Sequence, residues 1–323
     1  MRPPLTNRGV TDPIDLHHSQ PEVSIDWLQY SVPWPEGIHS WPDHGYAETE
    51  VIKRVLPPHE KLFMTGEILH PIRGYNSGQA ASFGRVFWHS GNRAQHIGVI
   101  FTGDDMRAAI NVLMPNNEML NWAIARSRKI ARLDVAVDIF DPAAEPTDIL
   151  AMWKMGYVGT PARTVTETSS HTDTRDHGIV KTSTVYVGKR DSERMLRVYN
   201  KGAQLGVDKK WVRAELQARD DNAWNLALML QRAGLVDGGR AAIRAFCNIP
   251  TLAWWARALN GPAVELAKVQ RKETNTEKWV MNVALPAVHK LAVEQLEDGR
   301  STVYDALSRV FNELSIYREA HTR

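Results

Sequence analysis

The sequence predicts an α+β protein, an antiparallel sheet with helices on one face followed by a helical C-terminal region. Three observations predict it. Runs of alternating apolar and polar residues, the period of a half-buried strand, recur between residues 23 and 217. Stretches with apolar residues three and four apart, the period of an amphipathic helix, interrupt them at 104–114 and 117–129. Beyond Asp220 the helical period alone remains, through Arg244, Trp254, Trp255 and Trp279 to Leu314.

Each element has its own signal. Residues 1–21 are polar and broken by Pro3, Pro4, Pro13 and Pro21, and read as a mobile tail. A strand at 23–32 is closed by the Pro- and Gly-containing stretch 33–37. Strands at 83–88 and 96–101 are separated by the turn Ser90-Gly91-Asn92. Pro115 parts the two helices. The strand 132–140 sets Leu133, Val135, Val137 and Ile139 on one face against Arg132, Asp134, Ala136 and Asp138 on the other. Runs at 182–187 and 195–199 flank a hairpin connection at 188–194, and a last strand covers 211–217. A boundary near 219–223 divides the chain into the tail 1–21, a sheet domain 22–220 and a helical region 221–323. No internal repeat or low-complexity segment is present.

Composition sets outer limits. An apolar fraction of 43% and a charged fraction of 24% are ordinary globular values. No run of about 18 apolar residues offers a membrane span, and the first residues lack a signal-peptide core, so a cytoplasmic protein without a membrane partner is expected. The single cysteine, Cys247, excludes an internal disulfide and a thiolate metal site. The net charge of +2 says little, but from Lys181 to Asp220 ten Lys or Arg stand against five Asp or Glu, a local excess suited to phosphates.

The sheet's polar face carries the chemistry. Asp134 and Asp138 share one side of their strand; Trp211, Arg213, Glu215 and Gln217 share one side of theirs. A hairpin turn at Asp191-Ser192 pairs Tyr186 with Arg197 and Thr184 with Tyr199, and so gathers two tyrosines, Arg197 and Lys201 on one face, expected to be the open one. Asp134, Asp138 and Glu215 are oxygen donors of the kind Mg2+ or Mn2+ prefers. A tyrosine hydroxyl beside them can attack a phosphorus in line, with Arg197 or Lys201 favouring the phenolate. An alternative stays open at this point: Asp134 and Glu215 as ion pairs with Arg132 and Arg213, and the tyrosines as ordinary strand residues.

The segments at 131–138 (Ala-Arg-Leu-Asp-Val-Ala-Val-Asp), 185–202 (Val-Tyr-Val-Gly-Lys-Arg-Asp-Ser-Glu-Arg-Met-Leu-Arg-Val-Tyr-Asn-Lys-Gly) and 211–216 (Trp-Val-Arg-Ala-Glu-Leu) together resemble the replication initiation factors of rolling-circle plasmids and filamentous phages, the Rep_trans group. The resemblance implies a relaxase-like antiparallel sheet over 22–220 that nicks and rejoins one DNA strand, and a C-terminal region 221–323 that binds the origin or packs on the rest. It makes Tyr199 the nucleophile that joins the 5′ phosphate, with Tyr186 as its competitor or a stacking residue. Asp134 and Glu215 become positions for a divalent metal, with Asp138 a further acidic position. Arg213, Lys189, Arg190 and Arg194 are candidates for DNA contact, as are Arg240, Arg244, Arg257, Lys268, Arg271 and Lys272 in the helical region. The partners implied are origin DNA, single-stranded or in a hairpin, a host helicase and polymerase, and a second copy of the chain. A non-catalytic DNA-binding repressor on the same fold and a conjugative relaxase are the competing functions.

Overall fold

The computed structural model describes residues 21–34, 51, 53–57, 62–72, 74–89, 96–112, 114–174, 178–207 and 209–264. The expected tail, apart from Pro21, the turn Ser90-Gly91-Asn92 and the chain beyond 264, with Lys268, Arg271, Lys272 and Trp279, lie outside the described residues.

Among the described residues ten strands form one sheet. They are β1 (Glu22–Pro33), β2 (Met64–Ile68), β3 (Ser77–Ala81), β4 (Arg85–Trp88), β5 (His96–Phe101), β6 (Lys129–Ile139), β7 (Val165–Thr174), β8 (Gly178–Val187), β9 (Arg194–Asn200) and β10 (Val212–Arg219). The helices are α1 (Gly103–Val112), α2 (Asn116–Arg126), α3 (Pro146–Lys154), α4 (Lys201–Leu205), α5 (Asp220–Ala233), α6 (Leu235–Phe246) and α7 (Ala253–Ala258). No helix among the described residues is long and apolar enough to cross a membrane.

The strand order is β2-β3-β4-β5-β1-β6-β10-β9-β8-β7, every neighbouring pair antiparallel. This order reads the same from either edge once each strand of the first five is matched to its counterpart in the second five. Each half is a central strand followed by a four-stranded meander that returns to its side. The two central strands, β1 and β6, pair with each other. No sequence repeat announces this duplication of topology.

The alternation in β6 decides which face is packed. Leu133, Val135, Val137 and Ile139 are buried on the back, with Ile25 and Leu28 of β1, Leu196 and Val198 of β9, and Val212, Ala214 and Leu216 of β10. Helix α5 lies on β6 and α6 on β1, contributing Leu226, Leu230, Ile243 and Phe246 to the same core. Burying each such side chain stabilises the fold by roughly 1.5–3 kcal/mol. Close approach of α6 depends on Gly239, where a Cβ would stand 2.6 Å from Val23 Cγ1 and 3.0 Å from Val135 Cγ2. Cys247 is buried in this core as its apolar neighbours suggest, and burial pushes its thiol up to about 12.

The expected strands and the two helices are present, shifted at their ends by a few residues. Strands β2, β3 and β7 and helices α3 and α4 were not signalled. β7, with the sequence VTETSSHTDT, has no apolar alternation because it is an edge strand held by β8 and by hydroxyl contacts such as Ser170 Oγ to Thr182 Oγ1 at 2.6 Å.

Candidate active site

The front face of β6, β10, β9 and β8 assembles the polar residues. Across β10 the register sets Arg213 opposite Asp138 and Tyr199, Glu215 opposite Ala136 and Arg197, and Gln217 opposite Asp134 and Met195. Across the β8–β9 hairpin Thr184 faces Tyr199 and Tyr186 faces Arg197, the pairing that the turn position predicts. Tyr199, Tyr186, Arg197, Asp134, Asp138, Glu215 and Arg213 therefore share one face.

That face is enclosed, which corrects the expectation of an open one. Asp134 is 0% exposed, Glu215 and Arg213 3%, and Tyr199 and Lys201 7%. Charge at such depth needs partners, and each carboxylate has one. Arg132 forks onto Asp134, Nε to Oδ1 at 2.9 Å and Nη2 to Oδ2 at 2.5 Å, while its guanidinium lies 4.0 Å over the Trp27 ring. Arg197 Nη2 donates to Glu215 Oε2 at 2.5 Å. Arg213 gives Nε and Nη2 to the two oxygens of Asp138, at 2.7 and 2.6 Å, and Nη1 to Asp26 at 2.6 Å. Of the two ion pairs left open by the sequence, Asp134–Arg132 is present, whereas Glu215 takes Arg197 in place of Arg213. Four acids (Asp26, Asp134, Asp138, Glu215) thus stand with four bases (Arg132, Arg197, Lys201, Arg213).

Tyr199 sits within this layer, its hydroxyl 3.4 Å from Glu215 Oε2, Arg197 4.9 Å over its ring and Lys201 Nζ 5.8 Å from the ring centre. Burial, and next the negative charge of Glu215, raise its pKa against the opposing pull of Arg213 and Arg197. The expectation that neighbouring cations favour the phenolate is corrected: the hydroxyl stays protonated, with a carboxylate oxygen as its nearest acceptor. Burial first, with Glu215 and Asp26 adding to it, pushes the Asp134 carboxyl up to about 7 despite Arg132. Lys201 is lowered by burial and by the nearby Arg213 and Arg107, and donates to Gln204.

Three expected roles change with the geometry. Arg213 is not a surface DNA contact but a buried clamp between two carboxylates. Arg194 lies on the back of β9, over the Phe246 ring, away from Tyr199. Asp138 spends both oxygens on Arg213 and also accepts from Trp211 Nε1 at 2.6 Å, so it does not join Asp134 and Glu215 as an open ligand. Among the described residues no group of three or more His, Cys, Asp or Glu is placed to hold a metal ion. With guanidinium groups on every front-face carboxylate, the residues as they stand do not fit Mg2+ or Mn2+. Lys189 and Arg190 are exposed, and Arg190 donates to the Tyr186 hydroxyl at 3.0 Å. In the helical region Arg240 and Arg244 instead hold backbone carbonyls, and Arg257 pairs with Asp141.

Asp26 was missed. A bulge between Ile25 and Trp27 breaks the phase of β1 and brings Asp26 to Arg213, against Gly103 at the start of α1. The available signal was that Asp26 is the lone charge in the segment 23–32.

Residues 128–292, just over half of the chain and including Tyr199, Asp134 and Glu215, match the replication initiation factor family. The chain belongs to that family. No curated protein matches it. Among solved structures it is similar to that of the rolling circle replication initiator protein from Geobacillus stearothermophilus, with a TM-score of 0.54 and 22% identity over 71% of this chain and 86% of that one. At this identity the likeness is one of fold.

Proposed function

We propose that this replication initiation factor starts rolling-circle replication by nicking one strand of origin DNA, single-stranded or extruded as a hairpin. Tyr199 Oη attacks the scissile phosphorus in line, its proton passes to Glu215 Oε2, and the P–O3′ bond breaks. The protein keeps the 5′ phosphate as a phosphotyrosine, and the 3′ oxygen leaves as a hydroxyl after taking a proton from Lys201, whose Nζ lies 5.8 Å from the Tyr199 ring centre. Arg197 neutralises charge on the phosphate. Reversal of the same steps rejoins the strand. The free 3′ end passes to a host polymerase and helicase. Carrying this reading is the contact between the Tyr199 hydroxyl and the Glu215 carboxylate, within the segment that matches the family.

The Tyr186 hydroxyl is engaged by Arg190 and its ring lies 4.6 Å beneath that guanidinium, which supports a stacking role for Tyr186 in place of a nucleophilic one. The test is a covalent adduct with labelled single-stranded oligonucleotides tiled across the replicon that carries the gene. Tyr199→Phe is expected to abolish the adduct and Tyr186→Phe to retain it. The opposite pattern would reassign the nucleophile, and no adduct with any oligonucleotide would favour a DNA-binding repressor.

A further inference from the structure

Trp211 and Phe140 are half-buried aromatic residues that neither belong to the apolar core nor pack against it. They meet each other on the front face, ring centroids 5.6 Å apart and planes 39° from parallel. Trp211 has its one polar side-chain atom engaged: Nε1 donates to Asp138 Oδ1 at 2.6 Å, and Arg213 holds both oxygens of the same carboxylate. Asp138 and Arg213 are 4% and 3% exposed, so the indole is fixed by its edge to a buried ion pair. A ring left half-buried outside the core adds less to stability than a core position would. What it offers is an oriented aromatic surface beside the candidate nucleophile.

Its position decides what that surface can meet. Gly202 N donates to Trp211 O at 3.1 Å, which sets Trp211 beside Lys201, one step along the front from the Arg213–Tyr199 pair. Tyr186, opposite Arg197, lies one step from the Thr184–Tyr199 pair in the other direction. Tyr199 is therefore the midpoint of a diagonal across the sheet, with an aromatic residue at each end, each about 7–8 Å from it as diagonal neighbours are. Aromatic faces on both sides of a nucleophile suit the flat bases that flank a cut phosphate, whatever their identity.

Resting on the nickase reading above, we propose that Trp211, backed by Phe140, stacks the base of the nucleotide whose 3′ oxygen leaves, opposite the Tyr186 platform for the base beyond the retained 5′ phosphate. The cations assign the sides. Lys201, the proton donor to the 3′ oxygen, neighbours Trp211, and Arg197, which neutralises the phosphate, neighbours Tyr186.

Fluorescence anisotropy of the full chain with labelled oligothymidylate, and with an abasic oligonucleotide of the same length, tests this. Every protein in the assay carries Tyr199→Phe, so that no strand is cut. Adding Trp211→Leu is expected to weaken oligothymidylate binding about tenfold and to leave binding of the abasic strand unchanged. Trp211→Phe keeps a ring but loses the donor to Asp138, and is expected to stay within about threefold of the parent on both strands. Circular dichroism confirms that each variant is folded. Equal losses on both strands, a Trp211→Phe defect as large as that of Trp211→Leu, or no loss on either strand overturns the proposal. A measurement that needs no Trp211 variant completes it: once the nick is mapped, 5-iodouracil on its 3′-oxygen side should photocrosslink to Trp211, and crosslinking to Tyr186 instead overturns the assignment. Failure here is distinct from that of the nickase reading, since the adduct assay depends on Tyr199. Adduct without a base-dependent loss in Trp211→Leu sinks this proposal alone, and a base-dependent loss without adduct sinks nicking alone.

Discussion

The two halves of the sheet share a topology and differ in what their front faces hold. In the second half β6, β10 and β9 present Asp134, Arg213, Glu215, Gln217, Arg197 and Tyr199. The matching strands of the first half, β1, β5 and β4, present Trp27 and Gln29, Gly98 and Ile100, and Phe87. Ile100 and Phe87 are buried, and Tyr75 packs its ring edge-on to His96 and its hydroxyl into the space above Gly98. The first half packs Phe87, Ile100 and Tyr75 on its front, with Arg85 exposed beside Ile100 and Asp26 of β1 joined to Arg213, whereas the front of the second half is closed by paired charge. Apolar closure needs no partner charge, whereas a buried layer of ion pairs holds only while each carboxylate keeps its cation. The residues proposed for nicking, Tyr199 and Glu215, therefore lie in the half closed by paired charge.

Breaking the charge layer should have the largest effect. Arg213→Met strands Asp26 and Asp138 without their shared cation and is expected to cost about 3–5 kcal/mol in urea denaturation. A loss below about 1 kcal/mol would mean that the layer is not part of what holds the fold together.

The pH dependence sharpens the same contrast. Asp134 titrates near 7 in the folded protein and near the ordinary 3.8 when unfolded, so between those values the native state holds a proton that the unfolded state has released. Stability should therefore fall as pH rises from about 4 to about 7, by about 4 kcal/mol at most, and level off above. Asp134→Asn should flatten that slope. An unchanged slope would show that Arg132 keeps Asp134 ionised throughout.

The apolar half should respond to volume instead. A methyl at Gly98 would stand 2.5 Å from the Tyr75 hydroxyl, so Gly98→Ala is expected to cost about 1–3 kcal/mol, partly recovered by Tyr75→Phe, with adduct formation unchanged. Loss of adduct in Gly98→Ala would break the division of labour between the halves. The smallest effect belongs to the rim: Arg190→Ala should change stability by no more than about 0.5 kcal/mol by thermal unfolding, because Arg190 is exposed.

The alternation in 132–140 and 211–217 and the turn in the 188–194 hairpin made the back core, the register of Tyr199 with Thr184, and the grouping of Tyr199, Asp134 and Glu215 legible in the sequence. A two-residue period with one apolar face leaves little freedom in which side chains point together. Asp26 was not legible because a bulge changes the phase of β1, and a bulge is set by pairing with β6. Arg213 read as a DNA contact because charge in a strand resembles surface; its burial depends on Asp138 from one neighbouring strand and Asp26 from another. The likeness of the two halves left no trace in the residues, since a sheet order can repeat while its side chains diverge.

Thus the periodicity of the chain set the central strands, their packed face and most of the residues that share the front with Tyr199. The tertiary structure alone decided that this front is enclosed, that each carboxylate already has a cation, and that Tyr199 stays protonated beside Glu215. The physical reason is range: periodicity acts within a strand, whereas desolvation and ion pairing depend on groups as far apart in the chain as Asp26 and Arg213.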